Sequence, residues 1–249
     1  MSLSLHRKTG SRPGTQQAEP DRRPNSPMRA GGVAALVQAA AFVFGFVIYG
    51  TVIANGDYTN LAIDPSRHVN FLVDNQLVLH VWYAVIYLVF GGALVVLAPV
   101  IGDRVKAHAP VLARSATVFG LIWATLMFAV GMSAIVGGDM VAALSSTDPA
   151  RAASLWTTVN LVMEGMGGGI ELVGGLWMAL ISVAALRAGA FPRWLNRIGV
   201  VAGAAGVAST ALVATDVASG IFGLGSIVWF TWLGVHMVRK AGTATADTR

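Results

Sequence analysis

Glu164 and Glu171 are the residues most able to do chemistry in this chain. They stand inside WTTVNLVMEGMGGGIELVGGLWMALISVAALR (156–187), a stretch apolar enough to occupy a bilayer. A charge at the centre of a membrane helix costs about 2.5–3.5 kcal/mol on insertion scales, so each carboxylate needs a proton, a counter-charge or water. Seven residues apart at 3.6 residues per turn, the two share nearly one face of a continuous helix, roughly 10 Å apart along its axis. Such a pair can relay protons or hold a cation or small amine. In a second reading the carboxylates only hydrogen-bond to neighbouring hydroxyls and backbone, fixing how the helices pack.

Other polar groups fall at comparable heights. At about 1.5 Å per residue from the predicted span ends, His80 and Glu164 lie roughly 12–14 Å below the outer boundary, and Glu171 and His236 roughly 22 Å below it. Asn160 and Asp216 fall nearer the outer surface. The expectation is a polar cleft between spans two, four, five and six, opening outward. Glu164, Glu171 and His80 would line it, with Asn160, Asp216 and His236 as further binding candidates for a small ion or solute. Taken singly, His80 also reads as a hydrogen-bonded interior histidine and His236 as an interfacial one, while His68 and His108 fall in predicted loops. His80 with Glu164 supplies two metal ligands, too few to specify a metal. The different depths of His80 and His236 argue against paired haem ligands.

What the chain lacks narrows the classes further. There is no cysteine, which removes disulfides, thiolate metal sites and thiol nucleophiles. No lysine lies within a predicted span, and no Walker loop, GxGxxG, GxSxG or HExxH motif occurs. No cofactor is expected, and a non-enzyme is the leading reading, with an intramembrane enzyme or haem protein ranked last.

The glycines beside the glutamates say how the helix is positioned. Gly165 and Gly169 have GxxxG spacing, and Gly199 and Gly203 repeat it in the next span. In hydrocarbon a helix keeps its internal hydrogen bonds despite glycine, which lets a neighbouring backbone come close. The helix carrying the glutamates is therefore expected at the centre of the bundle. Trp156, Trp194 and Tyr49 fall at predicted interfaces and read as an aromatic belt, and Trp229 and Trp232 as packing residues.

Six apolar runs approach or exceed the ~20 residues that cross ~30 Å of hydrocarbon. They cover about 31–54, 71–98, 116–136, 156–187, 198–217 and 221–238. With 55% hydrophobic and 12% charged residues, the chain departs from soluble domains, of which about a quarter of residues are charged. The predicted fold is an all-α bundle of six transmembrane helices over 31–240. A polar tail over 1–30, expected to be disordered, precedes it, and a short tail over 241–249 follows. Translation starting at Met28 is a second possibility. Of the Lys and Arg residues, fifteen fall in the tails and the second and fourth connections, against two in the first and third. The positive-inside rule then puts both termini in the cytoplasm. The formal charge of +5 is explained by this anchoring, so the expected partner is the lipid bilayer and not nucleic acid.

At GGGIELVGGLWMALISVAALRAGAFPRWLNRIGVVAG (167–203) the chain resembles a domain-of-unknown-function family of six-pass bacterial membrane proteins. The matching features are Gly-Gly-Gly-x-Glu, Gly-Gly-Leu-Trp, the Ala-Leu-Arg end and the Pro-Arg-x-Leu connection. ARSATVFGLIWA (113–124) and FGLGSIVWFTWLG (222–234) extend the similarity over most of 31–240. The resemblance implies a six-helix fold in a bacterial inner membrane and carries no activity with it.

Overall fold

A computed structural model describes residues 26–54, 58, 64–166, 171–210 and 215–246. The predicted tail up to residue 25 and the stretches 167–170 and 211–214 lie outside the described residues. All elements in the described residues are helical: α1 (Ser26–Ile48), α2 (Pro65–Asp74), α3 (Gln76–Tyr83), α4 (Phe90–Val105), α5 (Pro110–Ser145), α6 (Pro149–Gly165), α7 (Glu171–Ala188), α8 (Arg193–Ala208) and α9 (Thr215–Ala246). Wider π turns continue α1 over Tyr49–Ile53 and join α3 to α4 over Ala84–Val89.

Among the described residues, five helical stretches are long and apolar enough to cross a membrane: Pro27–Ile53, Gln76–Val105, Pro110–Ser145, Glu171–Ala188 and Val217–Thr243. The chain is a multi-pass membrane protein. α8, predicted as the fifth of six spans, has 16 described residues and is shorter than these five.

Successive passes run antiparallel, and glycines set their register. Gly31 and Gly32 of α1 face Met237 and Val238 of α9, while Gly223 of α9 faces Phe46 of α1. The first and last helices therefore lie side by side, with the two ends of the described chain at one end of the bundle, called proximal below. Between α7 and α8 the approach is closer still. A Cβ on Gly203 would stand 2.5 Å from the Ala179 amide nitrogen, and one on Gly175 would stand 2.6 Å from the Gly203 carbonyl oxygen. Gly199 meets Ser182 and the Trp229 indole. Small residues let these backbones touch, as helices in lipid require when no hydrophobic force pulls them together.

Aromatic rings fill the interior. Trp123, Trp177, Trp229 and Phe230 are fully buried or nearly so, and Trp177 lies 5.7 Å from Trp123, 5.5 Å from Trp229 and 5.9 Å from Phe230 between ring centroids.

Several boundaries differ from the sequence expectation, each for a local reason. Phe71–Asp74, expected to open the second span, belong to α2; Asn75 at φ −120°, ψ 22° breaks the helix before α3. α2 is built by its start: Asp64 caps it by accepting from the Ser66 amide at 2.9 Å, and Pro65 sits at its first position. The third span, expected to end at Val136, continues through Gly137, Gly138 and Asp139 to Ser145. At 36 residues α5 is roughly 54 Å long, well beyond the ~30 Å of hydrocarbon. Its far end packs against α2 and α6, with Gly137 against Val159 and Gly138 towards Leu72. His68, expected in a solvated loop, is instead buried in α2 with its ring 6.2 Å from that of Tyr58. Trp156, expected in an interfacial belt, is fully buried and stacks on Tyr58 at 5.6 Å. At the other end, α9 runs through Ala246, so helix covers most of the predicted C-terminal tail.

Candidate functional site

The helix expected to run unbroken over 156–187 is two helices. α6 stops at Gly165, and Met166 leaves helical geometry at φ −81°, ψ 2°. α7 begins at Glu171. The two glutamates therefore flank a break instead of sharing one helical face. Glu164, in the last turn of α6, is exposed, and Glu171, in the first turn of α7, is half-buried. Both stand towards the distal end of the bundle, away from the chain ends.

This arrangement has an electrostatic logic. The first turn of a helix presents free N–H groups and favours an anion, which suits Glu171; the last turn presents carbonyls and favours a cation beside Glu164. The two carboxylates lie within electrostatic reach of one another and of the buried Tyr87 hydroxyl. Tyr87 sits in the π turn, a distortion that recurs at functional sites. Its ring stacks on Tyr83 at 6.0 Å, and the Tyr83 hydroxyl donates to that of Tyr58 at 3.3 Å. Burial pushes the Tyr58 phenol well above its ordinary pKa, with the neighbouring Tyr83 adding to the effect.

His80 does not join the glutamates. Its Nε2 lies 3.2 Å from Asp139 Oδ1, and its Nδ1 lies 3.0 Å from the Gln76 carbonyl oxygen. The Gln76 amide donates to the same Asp139 oxygen at 3.0 Å. Each ring nitrogen thus faces an acceptor, and both contacts are donated together when both nitrogens carry protons. His80 is four residues from the start of α3, at the distal edge of the bundle and not deep within it. Beside it, Tyr58, Leu72, Leu79, Tyr83 and Gly138 help enclose a cavity of about 10 Å³, room for about one water. This cavity lies at the distal edge, not between the second, fourth, fifth and sixth predicted spans.

The remaining candidates scatter. Asn160 donates to the carbonyl of Trp156 in its own helix at 2.9 Å. His236 is half-buried near the proximal end, its ring 5.9 Å from Phe191 and within electrostatic reach of Lys240 and Arg104. Asp216 belongs to the first turn of α9, and its side chain lies outside the described residues. Gly165 is exposed with nothing within 4 Å of a Cβ placed on it, so it forms no helix contact; Gly169 lies outside the described residues. Among the described residues no three His, Asp or Glu side chains gather to hold a metal ion.

Sequence reasoning missed Asp139 and Tyr87. Asp139 follows two glycines and reads as a turn, although it lies on the face of α5 that meets Gln76 and His80. Tyr87 sits in a uniformly apolar run, and only the π turn sets it apart.

No curated protein and no solved structure matches the chain. Residues 30–241, most of the 249-residue chain, match the family described as domain of unknown function DUF4386. With that match covering nearly all of the helical bundle, the chain belongs to this family.

Proposed function

We propose that this is a six-span protein of the bacterial inner membrane, with both termini in the cytoplasm, that binds a proton or small cation on Glu164 and Glu171 near its outer edge. Placing both termini inside rests on the Lys and Arg asymmetry and makes the distal end of the bundle the outer one. One observation carries the binding reading: two carboxylates flank the α6–α7 break within electrostatic reach of each other and of Tyr87. Helix ends in membrane bundles can hold ions, since carbonyls at a C-terminal end and a neighbouring carboxylate both attract a cation.

Binding fits better than passage. Below the glutamates the bundle is packed with Trp123, Trp177, Trp229 and Phe230, all buried. A purely structural role for the pair has less support, because a carboxylate that fixes packing should be buried against its partners, and Glu164 is exposed.

The test is thermal unfolding of the purified full-length protein against pH and against Na⁺, K⁺ and Ca²⁺. A ligand at 100 times its Kd raises folding stability by about 2.7 kcal/mol. One of these titrations should raise the unfolding temperature, and Glu164→Gln with Glu171→Gln should flatten that response while leaving helix content unchanged. Identical responses in wild type and double variant would refute the binding site. Proton or cation flux in vesicles that vanishes in the double variant would replace binding by conduction.

A further inference from the structure

An open groove on the bundle lies away from the glutamates. A cavity of about 630 Å³ opens along the outside of α1 and α4, where Arg29, Val33 and Val37 face Val89, Ala93 and Val96. Two close contacts hold the two helices together beside it. A Cβ on Gly31 would stand 2.8 Å from Val100 Cγ1, and one on Gly45 would stand 2.9 Å from Ile86 Cγ2. Near the second contact the Trp82 indole donates to the Gly45 carbonyl at 3.3 Å. Between these residues the helices leave an open trough, lined in part by the small side chain of Ala93. Val33, Val89 and Val96 stay 49%, 47% and 41% exposed, so no other part of the described chain covers the trough.

We infer that this groove binds one anionic phospholipid from the leaflet at the proximal end, its acyl chain against the valines and its phosphate on Arg29. Two features select that occupant. The lining is apolar except for one exposed guanidinium at the proximal mouth, and a guanidinium matches phosphate oxygens in a two-pronged hydrogen bond. From Arg29 to Val37 the groove runs about 12 Å, close to the ~15 Å hydrocarbon depth of one leaflet. A charge at one end and a leaflet's depth of hydrocarbon contact are the chemistry of a lipid molecule. A free phosphate would use only Arg29, and an apolar helix would leave it unpaired. The inference is independent of the proposed cation site.

Photo-crosslinking tests it. The full-length protein is reconstituted in phosphatidylcholine vesicles carrying a trace of phosphatidylglycerol with a diazirine on one acyl chain, and the labelled residues are mapped by mass spectrometry. Labels should concentrate on residues 33–37 and 89–96. A phosphatidylcholine probe of the same chain length should label them less. Arg29→Gln should lower the phosphatidylglycerol signal about fivefold, the equivalent of the ~1 kcal/mol that one basic residue contributes near an anionic surface. Ala93→Phe should lower both signals by filling the trough. Labels spread evenly onto other exposed residues such as Val118 and Leu121 of α5 would overturn the inference. So would a phosphatidylglycerol signal unaffected by Arg29→Gln. The wild-type map needs no substitution, so a variant that folds poorly does not spoil the test.

Discussion

The indole of Trp177 lies over Gly120: a Cβ added there would stand 2.6 Å from its Nε1. The relation is reciprocal, because Trp123, one turn along α5 from Gly120, lies 2.6 Å through its Cζ2 from a Cβ added to Gly174 on α7. Each helix offers the other one large ring and one bare backbone. Adding side chains here overpacks a full core, which costs about 1–3 kcal/mol. Gly120→Leu and Gly174→Leu should each lower stability by that order, measured by denaturant unfolding in detergent micelles. Both should also alter the near-ultraviolet circular dichroism of the paired indoles. A loss below about 0.5 kcal/mol at either site would mean the rings are free to move aside.

Gly189 ends α7 at φ +58°, with nothing within 4 Å of a Cβ there. The amide of Ala190 donates to the Ala185 carbonyl at 3.1 Å, closing the helix end. Here substitution tests conformation alone. Gly189→Ala should cost about 1–2 kcal/mol in thermal unfolding, and Gly189→Asn less, because asparagine tolerates the left-handed region. Equal costs for the two would show that steric contact, not backbone strain, sets the preference.

Asp64 links the start of α2 to pH. Hydrogen bonds from Ser66, backbone first, hold its carboxyl below the ordinary aspartate range. A depressed folded-state pKa means the cap contributes fully above the ordinary value and is lost as the pH falls through the folded one. Relative to intrinsic exchange, which itself slows in acid, amide exchange at Ser66 and Arg67 should therefore quicken on acidification below the ordinary aspartate value. Asp64→Ala should quicken it at neutral pH and abolish the further acid response. An acid response that persists in the variant would point to another group.

His80, Gln76 and Asp139 tie α3 to α5 at the distal edge. The side chains of His80 and Asp139 are 34% and 53% exposed, so the tie is worth little: exposed ion pairs contribute about 0.2–1 kcal/mol. A double-mutant cycle of His80→Ala with Asp139→Ala should return a coupling in that range. A coupling above about 2 kcal/mol would show that the pair is shielded from water in the membrane.

Hydropathy located the long apolar passes, because every one must exclude water over its length. The ends of helices were harder to read. Asn75 splits α2 from α3 between Asp74 and Gln76, a short polar cluster that the apolar residues on either side make look like part of one span. Gly137 and Gly138 carry a turn signal, yet the helix passes through them because Val159 packs on Gly137. The same logic failed at the glutamates. Glycines predicted to draw a neighbour close at Gly165 instead stand at a helix end, facing open space. Spacing gave their common face only under the assumption of an unbroken helix, and Met166 ends that helix.

Gly32 and Gly234 bring the backbones of α1 and α9 into contact, with a Cβ on Gly234 standing 2.8 Å from the Gly32 carbonyl oxygen. The opening helix of the protein thus finds its tightest neighbour only in the closing one. During synthesis α1 enters the bilayer long before that neighbour exists, and must wait through the insertion of every intervening pass. The α1–α9 seam consequently forms only after the intervening passes are in place, and a nascent chain halted before α9 leaves the Gly31–Gly32 flank of α1 uncovered.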